Sequence, residues 1–336
     1  MPASGSQGFD GDMRLHYTGP FPETLGFLLM PRFAMVAFFS AVEPLRIANR
    51  VAGRELFAWK IITQDGEPIT ASNGMTLLAD ASPDTAPRLP SLAICSSFEP
   101  EATLTRHTLR WLHRLAEDGC ALGGIDTGSI ILARAGLLAR RRVTLHWESL
   151  PAFRERFPDI DAVESLFEVT EQGFSCAGGA AAMDMSLDLI ARRHGRALAT
   201  AVSEQLIHDQ GRTPQHQQRQ ALVQRLGTHK PALVDAVALM ERHVESPLPL
   251  DRIASRVALS LRQLQRLFEQ ELGVRPRDYY RHLRLARARQ LLQETDHDIL
   301  SIGLACGFTS ASSFSRAYRQ RYRESPRQTR LKPSAT

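Results

Sequence analysis

The stretch LGGIDTGSIILARAGLL, Leu122 to Leu138, reads as a buried strand that enters a tight turn and opens a helix, with a single carboxylate, Asp126, on the corner. A turn between a parallel strand and the next helix is where α/β folds place ligands and nucleophiles. Working outward, TLGFLLM (Thr24 to Met30), FAWKIIT (Phe57 to Thr63) and SLAICSS (Ser91 to Ser97) read as strands. AMVAFFSAVEPLRIANRVAG (Ala34 to Gly53) reads as a helix ending at glycine, and residues 102–117 as another. Beyond the corner, VTLHW, SLFEVTE and FSCAGG are strand-like, and SLPAFRERF and AAAMDMSLDLIARRHG helical. This alternation predicts an α/β domain over residues 22–208, mostly parallel, with helices on both faces of the sheet.

The 336 residues allow two domains, and 43% hydrophobic with 23% charged residues is an ordinary globular balance. No apolar run is long enough to span a bilayer. The start, MPASGSQGFDGDMRLHYTGP, lacks the basic-then-apolar pattern of a secretion signal, so residues 1–21 are expected to form a flexible leader of a cytoplasmic protein. Cys95, Cys120, Cys176 and Cys306 show neither zinc-ligand spacing nor a disulfide framework; buried reduced thiols are expected, and no metal or cofactor is implied.

Charge divides the chain unevenly. From Pro247 onward, 17 Lys and Arg face 8 Asp and Glu, a balance of +9 that leaves −4 for residues 1–246. A basic C-terminal part suggests a polyanionic partner. Residues 209–230, rich in Gln, Arg and His, read as a linker, and residues 231–330 are helical in pattern throughout.

That basic part repeats itself. Leu250, Ile253 and Val257 match Ile299, Ile302 and Cys306 at a step of 49, whereas Leu264, Arg266, Phe268 and Pro276 match Phe314, Arg316, Tyr318 and Pro326 at a step of 50. The extra residue falls in the turn. Each unit, 249–272 and 298–323, is therefore a short helix, a turn and a second helix of the shape that enters a DNA major groove. RPRDYYRHLRLARARQLLQE between them, with Tyr279, Leu283, Ala286 and Leu291 at helical spacing, suits a joining rod.

Two such units on one helix, with ACGFTSASSFSRAYRQRYRESPRQTR in the second, resemble the DNA-binding domain of the AraC/XylS transcription factors. The resemblance implies promoter DNA as partner, with Arg262, Gln265 and Arg266 presented by the first recognition helix and Ser312, Ser313 and Arg316 by the second. Arginine reads guanine and glutamine reads adenine through paired hydrogen bonds, whereas serine is permissive. The first unit is thus expected to carry more base specificity.

The strand-elbow-helix GGIDTGS resembles the PfpI-type, class I glutamine amidotransferase-like fold, whose enzymes carry a nucleophilic cysteine at the elbow with a histidine nearby. Here the elbow is Asp126, so no catalytic residue is expected, and Cys176 reads as a small buried residue. Joined to the AraC-type domain, with EPLRIANR, DTG and LHWE, the whole resembles the GlxA-like branch of AraC regulators, and within it the regulators of glycine betaine and carnitine catabolism. That likeness implies a ligand-sensing domain, a homodimer, contact with RNA polymerase and an activating role.

A quaternary ammonium has no N–H donor and is held by counter-charge and aromatic faces. Asp126 and Glu43 offer charge, Trp147 and Phe98 aromatic faces, and His146 lines the same region. Backbone N–H groups at Thr127 and Gly128 suit a ligand carboxylate. Other readings stay open at this point: Asp126 as a helix N-cap, Trp147 as core, arginine or another cationic amino acid as effector. A PfpI-like hydrolase or amidase fused to a DNA-binding module, and a constitutive DNA binder whose α/β domain only dimerises, also stay open.

Overall fold

The computed structural model describes residues 19–331 except 140, 171–172, 209–211, 215, 217, 219–221 and 296. The leader expected over 1–21 therefore lies, through residue 18, outside the described residues. The chain divides into two compact units after Gln218.

In the first unit β1 (Glu23–Leu29) leads to α1 (Met35–Ala52), β2 (Phe57–Ile62), a short hairpin of β3 (Ile69–Thr70) and β4 (Thr76–Leu77), β5 (Ser91–Ser96) and α2 (Arg106–Glu117). The chain continues through β6 (Ala121–Asp126), α3 (Gly128–Arg134), β7 (Arg142–Val143), α4 (Leu150–Arg156), β8 (Asp161–Ala162), β9 (Phe167–Thr170), β10 (Gly173–Cys176), α5 (Ala181–His194) and α6 (Arg196–Gln205). The main sheet runs β2-β1-β5-β6-β10-β9, parallel except for the β10–β9 pair.

Alternation along each strand splits the apolar residues between two cores. Leu25, Phe27 and Leu29 of β1 with Ala93 and Cys95 of β5 pack against α1, α5 and α6; Leu28, Leu92 and Ile94 pack against α2, α3 and α4. Central strands buried on both faces read as continuous apolar runs, which is why LGFLL and LAIC are legible as strands.

Several elements differ from the sequence reading: the helix read from 102 starts at Arg106, a short helix over Leu222–Leu226 lies inside the segment read as a linker, and three further elements change in extent. α3 stops at Arg134 instead of Leu138, because Gly136 takes φ +70° and turns the chain away. VTLHW supplies only one strand residue, Val143: the Thr144 N–H is taken by Ser175 Oγ (2.8 Å) and its hydroxyl goes to the Ser165 carbonyl (2.8 Å), so the chain leaves the ladder. Helix continues after Gly195 as α6, where the pattern was read as ended.

Within 209–230, the Pro214 carbonyl accepts from Leu166 N–H (2.9 Å), and Gln218 Nε2 lies 2.8 to 3.0 Å from Ser165 O, Leu145 O and Thr144 Oγ1. This part of the connecting segment is thereby fastened to the first unit.

The second unit holds α7 (Leu222–Leu226), α8 (Pro231–Arg242), α9 (Leu250–Arg256), α10 (Leu261–Leu272), α11 (Pro276–Glu294), α12 (Ile299–Ala305), α13 (Ala311–Tyr322) and α14 (Pro326–Leu331). Leu233, Val237 and Met240 of α8 close the core of the first α9–α10 pair with Ile253, Leu264, Phe268 and Tyr280. On α11 the buried residues are Pro276, Tyr280, Leu285, Ala288, Leu291 and Leu292, and Ala286 is exposed. The expected stripe is displaced because this helix serves two cores, with Tyr279 and Leu283 half-buried against the first.

Candidate ligand pocket and nucleic-acid interface

Asp126 ends β6 with φ +61°, a left-handed conformation that aspartate tolerates better than most side chains. The sharp corner depends on small neighbours: a Cβ on Gly128 would stand 1.9 Å from the Ile94 carbonyl oxygen, and one on Gly178 only 2.8 Å from Asp126 Cβ. The N-cap of α3 is Thr127, whose hydroxyl donates to the Ser97 carbonyl at 2.6 Å, so Asp126 is not the cap.

The Asp126 side chain is buried, at 6% exposure. Burial pushes its carboxyl up to about 7; a hydrogen bond with Ser97 opposes this, and the nearby charge of Glu148 adds to it. Among the described residues no cation pairs with it. His146 donates its backbone N–H to the Asp126 carbonyl (3.4 Å), and the His146 and Trp147 rings stand 5.6 Å apart. Burial lowers the imidazole pKa of His146, with Glu148 opposing, so the ring is neutral at pH 7.

Other expected ligand contacts are engaged elsewhere. Glu43 accepts from Arg46 Nε (2.9 Å) and Nη2 (2.6 Å) on the surface of α1, so its charge is already compensated. Phe98 is half-exposed, and the guanidinium of Arg32 lies over its ring at 5.4 Å, a face already occupied by a cation of the protein. α3, where Thr127 and Gly128 were expected to receive a carboxylate, has only seven residues and a correspondingly small dipole. Cys176 is fully buried, its thiol pushed up to about 12 by that burial, and it accepts from the Gly178 N–H (3.4 Å) as an inert packing group.

Sequence reading missed Ser97, Arg32, Glu148 and Gly178. Their signal exists only in space, since each comes from a different loop at the carboxyl end of the sheet. It also missed Asp184, buried on α5, which bonds His208 Nε2 (3.0 Å) and pairs with Arg212 (2.8 Å) where the connecting segment begins.

In the second unit the two helix-turn-helix pairs have matching corners. Ala258 (φ +55°) and Gly307 (φ +74°) make the left-handed turn 49 residues apart. Ser260 and Ser310, 50 apart, then cap α10 and α13 through Gln263 N–H and Ser313 N–H, so the extra residue lies between turn and cap. Gly307 is further required because a Cβ there would meet Pro247 Cγ at 2.5 Å.

Leu264 and Phe268, and likewise Phe314 and Tyr318, face inward at 0% exposure. This leaves Arg262, Gln265 and Arg266 exposed on α10 and Ser312, Ser313 and Arg316 exposed on α13. Ser313 Oγ is spent on the cap, donating to Ser310 O at 2.9 Å. Ser315, half-buried, is the positional equivalent of Gln265 and was overlooked.

Residues 253–332 match the family described as Helix-turn-helix domain, and with the paired corners and basic outer faces this defines a DNA-binding transcriptional regulator. Over 304 residues, 90% of each chain, the sequence is 45% identical to the HTH-type transcriptional regulator CdhR of Pseudomonas aeruginosa. It is 42% identical over 309 residues to the HTH-type transcriptional regulator GbdR of the same species, covering 92% of this chain and 84% of that one. The crystal structure of an AraC family transcriptional regulator from Pseudomonas putida superposes with a TM-score of 0.51 at 29% identity, over 55% of this chain and all of that one. The chain belongs to the GlxA-like branch of the AraC family, its first unit having the PfpI-type fold. No helix of the described residues is long and apolar enough to cross a membrane.

Proposed function

We propose that the first unit senses a quaternary or methylated ammonium compound of the glycine betaine or carnitine type, and that the occupied sensor makes the chain an activator of genes for its breakdown. The carrying observation is Asp126: a buried carboxylate on an elbow, without a cation beside it among the described residues. Burying an uncompensated carboxylate costs stability, and sites that carry such a cost are those where a ligand supplies the missing charge. Trp147 offers the aromatic face that a methylated ammonium needs. The likeness of EPLRIANR, DTG and LHWE to regulators of betaine and carnitine catabolism points to the same chemistry.

A carboxylate at the elbow cannot stand in for the thiolate of the PfpI-type enzymes, and Cys176 is buried and protonated, so the unit acts by binding and not by catalysis. The effector acts through its differential affinity for two states of the regulator. We assign it a homodimer as working form, RNA polymerase as partner at the promoter, and the cytoplasm as its place of action.

Thermal shift of the purified chain against glycine betaine, carnitine, dimethylglycine, sarcosine, choline and arginine tests this, since a ligand specific to the native state raises Tm by mass action. A methylated amine should stabilise the wild type and not Asp126→Ala. Stabilisation by arginine alone, or an equal response of the variant, would overturn the assignment.

A further inference from the structure

The loops after β1 and after β5 leave neighbouring strands for opposite faces of the sheet, since α1 packs into one core and α2 into the other. In open α/β sheets the crevice outside the carboxyl ends of such a strand pair is where ligands bind. Arg32 stands on the first loop, Phe98 and Glu99 on the second. The Arg32 guanidinium lies over the Phe98 ring, and its Nη1 is 3.4 Å from Glu99 Oε2. Arg32 (φ +62°) and Glu99 (φ +50°) both hold left-handed backbone, a conformation that persists in long side chains where the surroundings impose it and that gathers at functional sites.

We propose that Arg32 anchors the carboxylate of the effector, and that Glu99 is the internal carboxylate that the ligand displaces. This rests on the reading of Asp126 as the residue that holds the ammonium. β1, β5 and β6 are consecutive, with Leu29 beside Cys95 and Ser96 beside Asp126. Two strand spacings, about 10 Å, therefore separate the Arg32 loop from the elbow. A zwitterion a few atoms long, met by arginine from one side and aspartate from the other, fills that span.

Arg32 also borders an open cleft of about 340 Å³ with Thr63, Gln64, Glu67 and Thr70, which leaves its side chain room to turn. The cleft is formed by the β1–α1 and β2–β3 loops and does not reach the elbow. A planar guanidinium grips a carboxylate through two parallel hydrogen bonds, which the short α3 cannot match. The site thus recognises amino-acid-like zwitterions and discriminates against the bare cation.

Calorimetric titration of the full chain with glycine betaine and with choline, which lacks the carboxylate, tests this in wild type, Arg32→Gln, Glu99→Gln and Asp126→Asn. Arg32→Gln should weaken betaine at least tenfold and leave choline unchanged. Glu99→Gln should tighten betaine severalfold by removing the internal competitor, a gain that misfolding cannot produce. Equal loss of both ligands in Arg32→Gln, unchanged betaine affinity there, or a weaker betaine complex in Glu99→Gln would overturn the proposal while leaving Asp126 in place. Unaltered binding of both ligands by Asp126→Asn would instead remove the reading of the elbow, and a wild type that binds neither ligand would remove both.

Discussion

Arg284 Nε donates to the Cys306 carbonyl at 2.7 Å, which ties the helix joining the two DNA-binding pairs to the corner of the second pair. Its Nη2 bonds the Gly307 carbonyl at 2.6 Å, and the guanidinium lies 4.3 Å from the centre of the Phe308 ring. Arg284→Ala leaves two carbonyls without their donor and should cost about 2–4 kcal/mol. Arg284→Lys should not restore it, because one ammonium cannot reproduce a forked pair of donors on an aromatic ring. Urea unfolding of the full chain measures both, and a loss under 1 kcal/mol in Arg284→Ala would show the tie to be incidental.

The elbow carboxyl imposes a pH dependence whose sign is fixed. Its value rises from an ordinary 3.8 to about 7 in the folded chain, so between about pH 4 and 7 the native state holds more protons than the unfolded one. Stability contributed at this residue therefore falls as pH rises through that window and levels off above it. At pH 8 Asp126→Asn should exceed the wild type by up to about 4 kcal/mol, and the two should converge near pH 4. Tm against pH for both chains is the measurement; parallel curves would contradict the buried carboxyl.

Gly178→Ala places a methyl against Asp126 at a backbone φ of +88°, so it strains the chain and crowds the elbow at once. A stability loss of roughly 1–3 kcal/mol is expected, with loss of the ligand-induced rise in Tm. A variant that keeps that rise in full would show that the pocket does not use this corner.

On the DNA-binding unit, Arg262→Ala should cost about 1–3 kcal/mol of specific affinity and relax base preference at one position. Ser312→Ala should cost less. Anisotropy titrations on promoter fragments with single-base substitutions separate the two, and a uniform loss on every sequence would reassign Arg262 to the phosphate backbone.

Gln218 reaches Ser165 O, Leu145 O and Thr144 Oγ1, one residue before the backbone that touches the elbow. Gln218→Ala should free the connecting segment, so that limited proteolysis around residues 209–221 speeds up severalfold, with effector binding retained. An unchanged cleavage rate would mean that the Pro214 carbonyl on Leu166 N–H, with Asp184 through His208 and Arg212, suffices to fasten the segment.

What could be read from the sequence follows from what each residue must bury. The central strands and the repeated pairs carry periodic apolar residues, and Leu264, Phe268, Phe314 and Tyr318 are core as their spacing required. Serine caps at Ser260 and Ser310 follow from the same repeat. The elbow was legible as a place but not as a set of contacts. Ser97 reaches Asp126 because β5 and β6 are neighbours in the sheet, and Arg32 occupies the Phe98 face because two loops meet above β1 and β5. Neither meeting leaves a periodic trace. Glu43 gives a related case: a carboxylate on a helix meets an arginine three residues on, here Arg46, which the ligand reading had left out.

An aspartate at the corner also changes what the regulator is sensitive to. Thiolates at such elbows are open to peroxide, whereas a carboxylate has no oxidation ladder to climb. Cys95 and Cys176 at the ends of strands flanking the elbow are sealed in the core, both thiols driven upward by burial. An effector site built on this corner therefore presents no thiolate at the elbow for peroxide to reach.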